Sequence, residues 1–304
     1  MYDIIVVGGG PAGMTAALYA QRNGKKALVI EKTGFGGQIT HSPKVENYPG
    51  TMQMSGNEFA DKTLEQILAQ GAEIEFEKVV SVEDLGESKV VVTEEGGRYE
   101  APAVILATGV RHRMLGLEGE DALVGEGISY CAVCDGDFYA GQTVCVAGGG
   151  NSALQEAILL AEKCREVIVL QDLPKCTGEQ CLQDVLFARS NVRLIADTKI
   201  NRLLTENGAL TGVEIESRTT GARQSVPCEG LFVAIGLIPE NEPFKALAEL
   251  NAYGYFDCDE RCETRTPGIY VAGDCRSKGV RQLATAIADG ATAALAACRY
   301  INER

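Results

Sequence analysis

Two cysteines, Cys131 and Cys134, stand three residues apart in the stretch "YCAVCDGDFYAGQTVCVAGGGNSA", with Asp135 directly behind the second. Thiols at this spacing can close a small disulfide ring and reopen it, and an adjacent carboxylic acid can supply or take the proton a departing sulfur needs. The competing reading of a C-x-x-C pair is half of a zinc ribbon. That needs a second such pair, and the chain has none; its two histidines, His41 and His112, do not complete a ligand set. No metal site is therefore expected. The other cysteines, including the looser pairs Cys176/Cys181 and Cys258/Cys262, read as small buried apolar residues or free thiols. Asp135 also has a plainer reading, as a turn residue in "CDGD".

A second kind of chemistry is written into the glycines. "DIIVVGGGPAGMTAALYAQRNGKKALVIEK" reads as a buried parallel strand (Ile4–Val7), a G-x-G-x-x-G loop (Gly8, Gly10, Gly13), a helix and a second strand (Ala27–Ile30) ending in Glu31. In such a unit the glycines allow a tight turn, close approach of a pyrophosphate and helix–strand packing, while the acid accepts hydrogen bonds from an adenosine ribose. The grammar returns at "TVCVAGGGNSALQEAILLAEKCREVIVLQD", with Gly148, Gly150 and Ala153 between strands Thr143–Ala147 and Val167–Leu170. An internal duplication of this kind means two nucleotide-shaped clefts.

The elements that must position these groups follow. Residues 78–100 and 199–227 each read as a small β-meander, placed before the apolar strands in "APAVILATGV" and "CEGLFVAIGLIPEN". The tail reads as a strand, a Gly-Asp turn and an alanine-rich helix. Linkers near 110–122 and 237–244 make the first domain discontinuous, with the second inserted into it. The expected fold is α/β: two Rossmann-like, three-layer (ββα) dinucleotide-binding domains, residues 1–113 with 242–304 and residues 114–241.

Composition excludes several classes. With 28 basic and 42 acidic residues in 304, the net charge of −14 disfavours nucleic acid and anionic membranes as partners. No apolar run reaches the roughly 18 residues of a membrane helix. The start, "MYDIIVVGGG", lacks a basic n-region, so a cytoplasmic protein with reduced thiols is expected.

Taken together, "GGQ" (Gly36–Gln38), "VENYPG" (Val45–Gly50), "ATG" (Ala107–Gly109), "CAVCD" (Cys131–Asp135), "GIYVAGD" (Gly268–Asp274) and "RQLATAIADG" (Arg281–Gly290) resemble, in order and spacing, the low-molecular-weight thioredoxin reductases of the pyridine nucleotide–disulfide oxidoreductase class. The resemblance implies an FAD-binding first domain, with Gly8, Gly10, Gly13 and Glu31 on the ADP half. Gln38 and Asn47 would reach toward the flavin, and Gly37, Thr108 and Gly109 would also bind the cofactor. Gly273 and Asp274 would meet the ribityl or pyrophosphate region, and Arg281 and Gln282 the isoalloxazine and a dimer side. It implies that Cys131 and Cys134 form the redox-active disulfide and that Asp135 is its acid and base. Electrons would run from a donor to FAD, to the disulfide, and to thioredoxin or a thioredoxin-like protein. A homodimer, and rotation of the inserted domain about its two linkers, are implied too.

The second cleft departs from the family pattern. Gln171, Asp172 and Leu173 stand where a basic His-Arg-Arg cluster grips the 2′-phosphate of NADPH. Asp172 would repel that phosphate and suits an unphosphorylated ribose. NADH, held by Gly148, Gly150, Ala153 and Asp172, is the expected donor. Three alternatives stand beside it: reduction by a ferredoxin without pyridine nucleotide, a dithiol oxidase passing electrons to oxygen, and a flavin-bound redox sensor that docks a partner without turnover. Glutathione-reductase-like chemistry is excluded, because "GGQITHSP" replaces its cysteine pair and the tail has no histidine.

Overall fold

The computed structural model describes residues 1–42 and 45–304. The chain divides into two compact units, Met1–Arg111 with Ile238–Arg304, and His112–Leu237. In chain order, the first stretch supplies β1 (Ile4–Val7), α1 (Pro11–Arg22), β2 (Ala27–Ile30), α2 (Gly56–Ala69), β3 (Glu73–Glu75), β4 (Val79–Asp84), β5 (Lys89–Thr93), β6 (Arg98–Ala101) and β7 (Ala103–Leu106). The middle begins with β8 (Val110–His112), α3 (Glu120–Leu123), β9 (Ile128–Ser129), α4 (Ala132–Asp135), β10 (Thr143–Ala147), α5 (Asn151–Ala161), β11 (Glu166–Leu170) and α6 (Gln180–Phe187). It continues through β12 (Val192–Ile195), β13 (Thr198–Glu206), β14 (Ala209–Ser217), β15 (Arg223–Pro227), β16 (Gly230–Val233) and β17 (Leu237–Pro239). The tail adds β18 (Ile269–Val271) and α7 (Leu283–Asn302).

In the first unit a parallel sheet runs β18-β7-β1-β2-β3. Strands β7, β1 and β2 are apolar at every position because both faces are covered, whereas the edge strand β3 carries Glu73 and Glu75. Ile4 and Val6 of β1 pack with Met14, Ala17 and Ala293 of α1 and α7. Ile5 and Val7 point the other way, into a cluster with Val82 and Val91 of the antiparallel meander β4-β5-β6.

The second unit repeats the plan with sheet β12-β11-β10-β16-β9 and meander β13-β14-β15. Val144 and Val146 of β10 face Ala153, Leu154 and Ala157 of α5. Cys145 and Ala147 face Val213 and Ile215 of the meander. Both units are thus the three-layer α/β arrangement expected from the sequence. Among the described residues no helix is long and apolar enough to cross a membrane.

Candidate active site

The C-x-x-C segment belongs to the second unit, where β9 ends at Ser129 and one turn of helix, α4, follows. The Ser129 hydroxyl nucleates the turn by accepting the Cys131 N–H at 3.1 Å. Cys131 caps it, its Sγ accepting the Cys134 N–H at 3.2 Å. The two cysteines are joined as a disulfide, with Cα atoms 5.3 Å apart. Both are half-buried, and Val133 between them is 54% exposed, so the turn opens to solvent at this point.

Asp135, the last residue of α4, is only 9% exposed. Ser129 Oγ donates to its Oδ2 at 2.6 Å. Its Oδ1 is buried with no hydrogen-bond partner among the described residues. Burial raises the Asp135 pKa, and the Ser129 bond only partly offsets the rise. A turn residue of the ordinary sort would be solvated and unshifted, whereas this carboxyl is buried and its proton affinity is raised. Nearby, α4 packs on α5, where Glu156 is also pushed up, to about 8, first by burial and then by the charge of Asp135, while the Ala132 backbone N–H bond opposes the rise.

The two glycine loops are near copies. A Cβ on Gly8 would meet Ala107 O at 2.3 Å, and one on Gly148 would meet Ala234 O at 2.5 Å, both at positive φ. At Gly13 a Cβ would fall 1.9 Å from Gly8 O, whereas Ala153 occupies the matching place in the second unit. A Cβ on Gly10 would meet nothing among the described residues within 4 Å. That space is open where a phosphate would approach. The helices after the loops, α1 and α5, start without a side-chain cap, while α2 is capped by Ser55 and α7 by Gln282 with Thr285. Free N–H groups therefore remain at the two ends where an anion would be held.

Glu31 follows β2 directly. Its Oε2 accepts the Gly9 N–H at 2.7 Å, and its Oε1 accepts from the backbone and hydroxyl of Thr33. In the second unit the residue directly after β11 is Gln171, not Asp172. Gln171 is 4% exposed and packs under the loop, with Nε2 2.6 Å from where a Gly149 Cβ would stand. Its amide spans Asp172 N and Lys175 O. Asp172 lies one residue further out, exposed, and pairs with Arg218 at 3.1 Å. Arg218 is anchored by its N–H on Asp197 O, and Asp197 N in turn bonds Leu173 O.

The other first-unit candidates fall in four places. Gly37 and Gln38 begin a short 3-10 turn, with Gln38 exposed. Asn47 Nδ2 donates to Gln282 Oε1 at 3.2 Å. Thr108 Oγ donates to the buried Asn241, and Gly109 follows it at positive φ. Gly273 N–H donates to Asp289, and Arg281 lies over the Tyr255 ring at 4.2 Å with its Nε on Asp274 O. Asp274 Oδ1 is buried, and its partner among the described residues is the Lys278 ammonium, an ion pair at 3.1 Å. Burial raises the Asp274 pKa, and Lys278 counters the rise.

A disulfide turn backed by a buried acid, beside one of two matched nucleotide loops, points to one family. The family model described as "Pyridine nucleotide-disulphide oxidoreductase" matches residues 2–290. The chain belongs to that family, and within it to the low-molecular-weight thioredoxin reductase type. It is 39% identical over 303 residues to a thioredoxin reductase of Listeria innocua, covering 100% of this chain and 95% of the relative. A thioredoxin reductase of Bacillus subtilis is 38% identical over 304 residues, covering 100% and 96%. The crystal structure of thioredoxin reductase from Streptococcus pyogenes superposes with a TM-score of 0.95 at 38% identity, covering 100% of this chain and 99% of that one. The chain is an oxidoreductase.

Three residues of the site escaped the sequence reading or were given the wrong weight in it. Gln171 was legible, because the internal repeat that carries Gly9 onto Gly149 carries Glu31 onto Gln171. Ser129 and Glu156 were not legible. A serine at a strand end and a glutamate in a mostly apolar helix carry no signal of their own.

Proposed function

We propose that this oxidoreductase reduces the disulfide of thioredoxin or a thioredoxin-like protein, in the cytosol and as a homodimer, with FAD as its cofactor and NADH as the preferred donor over NADPH. The observation that carries the reading is Asp135, a buried carboxyl of raised proton affinity directly behind a disulfide turn that opens to solvent.

The family implies FAD, and residues of the first unit fit it. The open space at Gly10 and the uncapped start of α1 suit a pyrophosphate, Glu31 suits a ribose, and the buried Asp274 carboxyl beside Lys278 suits a hydroxyl or amide donor. Bound there, FAD would supply the two-electron chemistry that opens the disulfide.

The chain's own residues manage the sulfurs. Opening the S–S bond leaves two sulfurs that need protons, and Asp135 holds one within its own turn. The Cys134 N–H steadies negative charge on Cys131 Sγ. When the dithiol meets a partner disulfide, Asp135 takes the proton from the attacking thiol. The partner's S–S bond breaks, its two sulfurs leave as thiols, and the Cys131–Cys134 bond closes again.

For the donor, the ribose edge of the second loop presents Gln171, Asp172 and Leu173. Asp172 already engages the nearby cation, Arg218. A 2′-phosphate would meet a neutral amide and a carboxylate there, whereas ribose hydroxyls can hydrogen-bond to both. The test is an anaerobic titration of the yellow protein with NADH, NADPH and a reduced ferredoxin in turn, followed by turnover with oxidised thioredoxin. Bleaching by NADH and not by NADPH is the expected result. Silence with both nucleotides and bleaching by ferredoxin overturns the donor assignment. Bleaching without reduction of any thioredoxin overturns the reductase.

A further inference from the structure

Reducing a disulfide to a dithiol takes up two electrons and two protons, and Asp135 accounts for one proton site. A second carboxyl, on a half-buried residue with one oxygen shielded from solvent, stands against the same turn. Glu156 projects from α5, the helix on which α4 packs, and accepts the backbone N–H of Ala132, the residue that follows Cys131. Its Oε2 is buried with no hydrogen-bond partner among the described residues, as is Asp135 Oδ1. Ala132 of α4 and Leu154, Ala157 and Leu160 of α5 belong to one buried apolar cluster, which holds the two helices together. A surface glutamate in a helix would be solvated, and one kept only for stability would have both oxygens satisfied. Here two carboxyls, each with one unsatisfied oxygen, grip the two ends of the C-x-x-C turn.

We propose that Glu156 is the second proton-holding group of the Cys131–Cys134 site, a positioning residue that acts through the Ala132 amide and the carboxyl of Asp135. The proposal rests on Cys131–Cys134 being the redox pair. On the elements packed against α5, the titratable groups are Asp135 of α4, Cys145 of β10, Glu166 of β11, and Cys181 and Asp184 of α6. Asp135 is the one whose charge raises Glu156. Below its pKa of about 8 Glu156 is neutral, and the dithiol beside it bears no penalty. Above that pH Glu156 is an anion, and it disfavours a reduced state in which a cysteine is a thiolate.

The experiment equilibrates the full-length holoprotein with mixtures of reduced and oxidised dithiothreitol. The reagent's dithiol closes to its cyclic disulfide, and two electrons and two protons pass to Cys131–Cys134. Trapping with an alkylating agent and counting the mass shift of the peptide gives the equilibrium constant at each pH. For Glu156→Gln, the ratio of variant to wild-type constants is expected to be near one at pH ~6 and to rise toward the reduced form about tenfold by pH ~9. A ratio that is flat across the range overturns the proposal, because a merely structural role shifts all pH values alike. Asp135→Asn supplies an independent arm should the first variant fold poorly. Removing the Asp135 charge must move the onset of the wild-type pH dependence downward, and an unmoved onset also overturns the proposal. Failure to reduce thioredoxin would strike the proposed function and leave this equilibrium measurable.

Discussion

Ser129 Oγ donates a 2.6 Å hydrogen bond to Asp135 Oδ2 and also accepts the Cys131 N–H, so one hydroxyl ties the acid to the first sulfur-bearing residue. The hydroxyl favours the charged carboxylate, and burial favours the neutral acid. Replacing Ser129 by Ala removes the opposing influence and raises the Asp135 pKa further. Thioredoxin reduction in Ser129→Ala is expected to keep its acid-pH rate and to lose rate toward alkaline pH less steeply. Asp135→Asn is expected to lose about 10²–10⁴-fold in kcat, the usual range for a positioned acid and base. A pH–rate profile of both variants checks this.

The disulfide itself separates an enzyme from a docking module. Cys134→Ser leaves the fold and the flavin spectrum in place, because the turn is held by Ser129 and the apolar contacts of Ala132. Turnover with thioredoxin is expected to fall to background. A variant that still turns over would remove Cys134 from the chemistry.

Two glycines of one loop should behave differently. A Cβ at Gly13 has no room, since it would lie 1.9 Å from Gly8 O, so Gly13→Ala is expected to destabilise the first unit by about 1–3 kcal/mol and to yield little yellow protein. A Cβ at Gly10 meets nothing among the described residues within 4 Å. Gly10→Ala should therefore fold and melt like the apo wild type, yet bind FAD at least about tenfold more weakly. Thermal melts and flavin titration of the two apo proteins give the comparison.

At the second loop, Gln171→Glu recreates the Glu31 arrangement. A charged acceptor gains about 1–2 kcal/mol over a neutral one, so NADH binding should tighten roughly tenfold. Asp172→Arg with Leu173→Arg should instead improve binding of adenosine 2′,5′-bisphosphate and the use of NADPH. Calorimetry with both ligands reads this directly. No change in either variant would mean that the edge of the second loop meets no nucleotide.

Glu156 also leaves a mark on stability. Its folded pKa lies above the ordinary 4.5, so between 4.5 and about 8 the folded state binds more protons than the unfolded chain. Stability from this group is thus highest in acid and falls as pH rises through that window, by on the order of a few kcal/mol. Glu156→Gln should melt close to the wild type at pH ~5 and progressively above it as pH approaches 8. A difference in melting temperature that does not grow with pH would contradict the burial of this carboxyl.

The architecture and the redox triplet were legible in the order of the residues. Continuous apolar runs such as Ile4–Val7 and Thr143–Ala147 can only be strands covered on both faces, and glycines at fixed spacing announce close backbone approach. Cys131, Cys134 and Asp135 are adjacent in the chain, so their neighbourhood was legible without coordinates. Which groups complete them was set by packing between distant segments. The hydrogen bond from Ser129 spans a strand end and a helical turn, and Glu156 reaches Ala132 across packed helices. The difference between Gln171 under the loop and Asp172 outside it is a single residue of register after β11. Local pattern encodes which residues alternate and turn. Burial and the loss of hydrogen-bond partners, which shift a carboxyl's proton affinity, arise only when separate elements pack together.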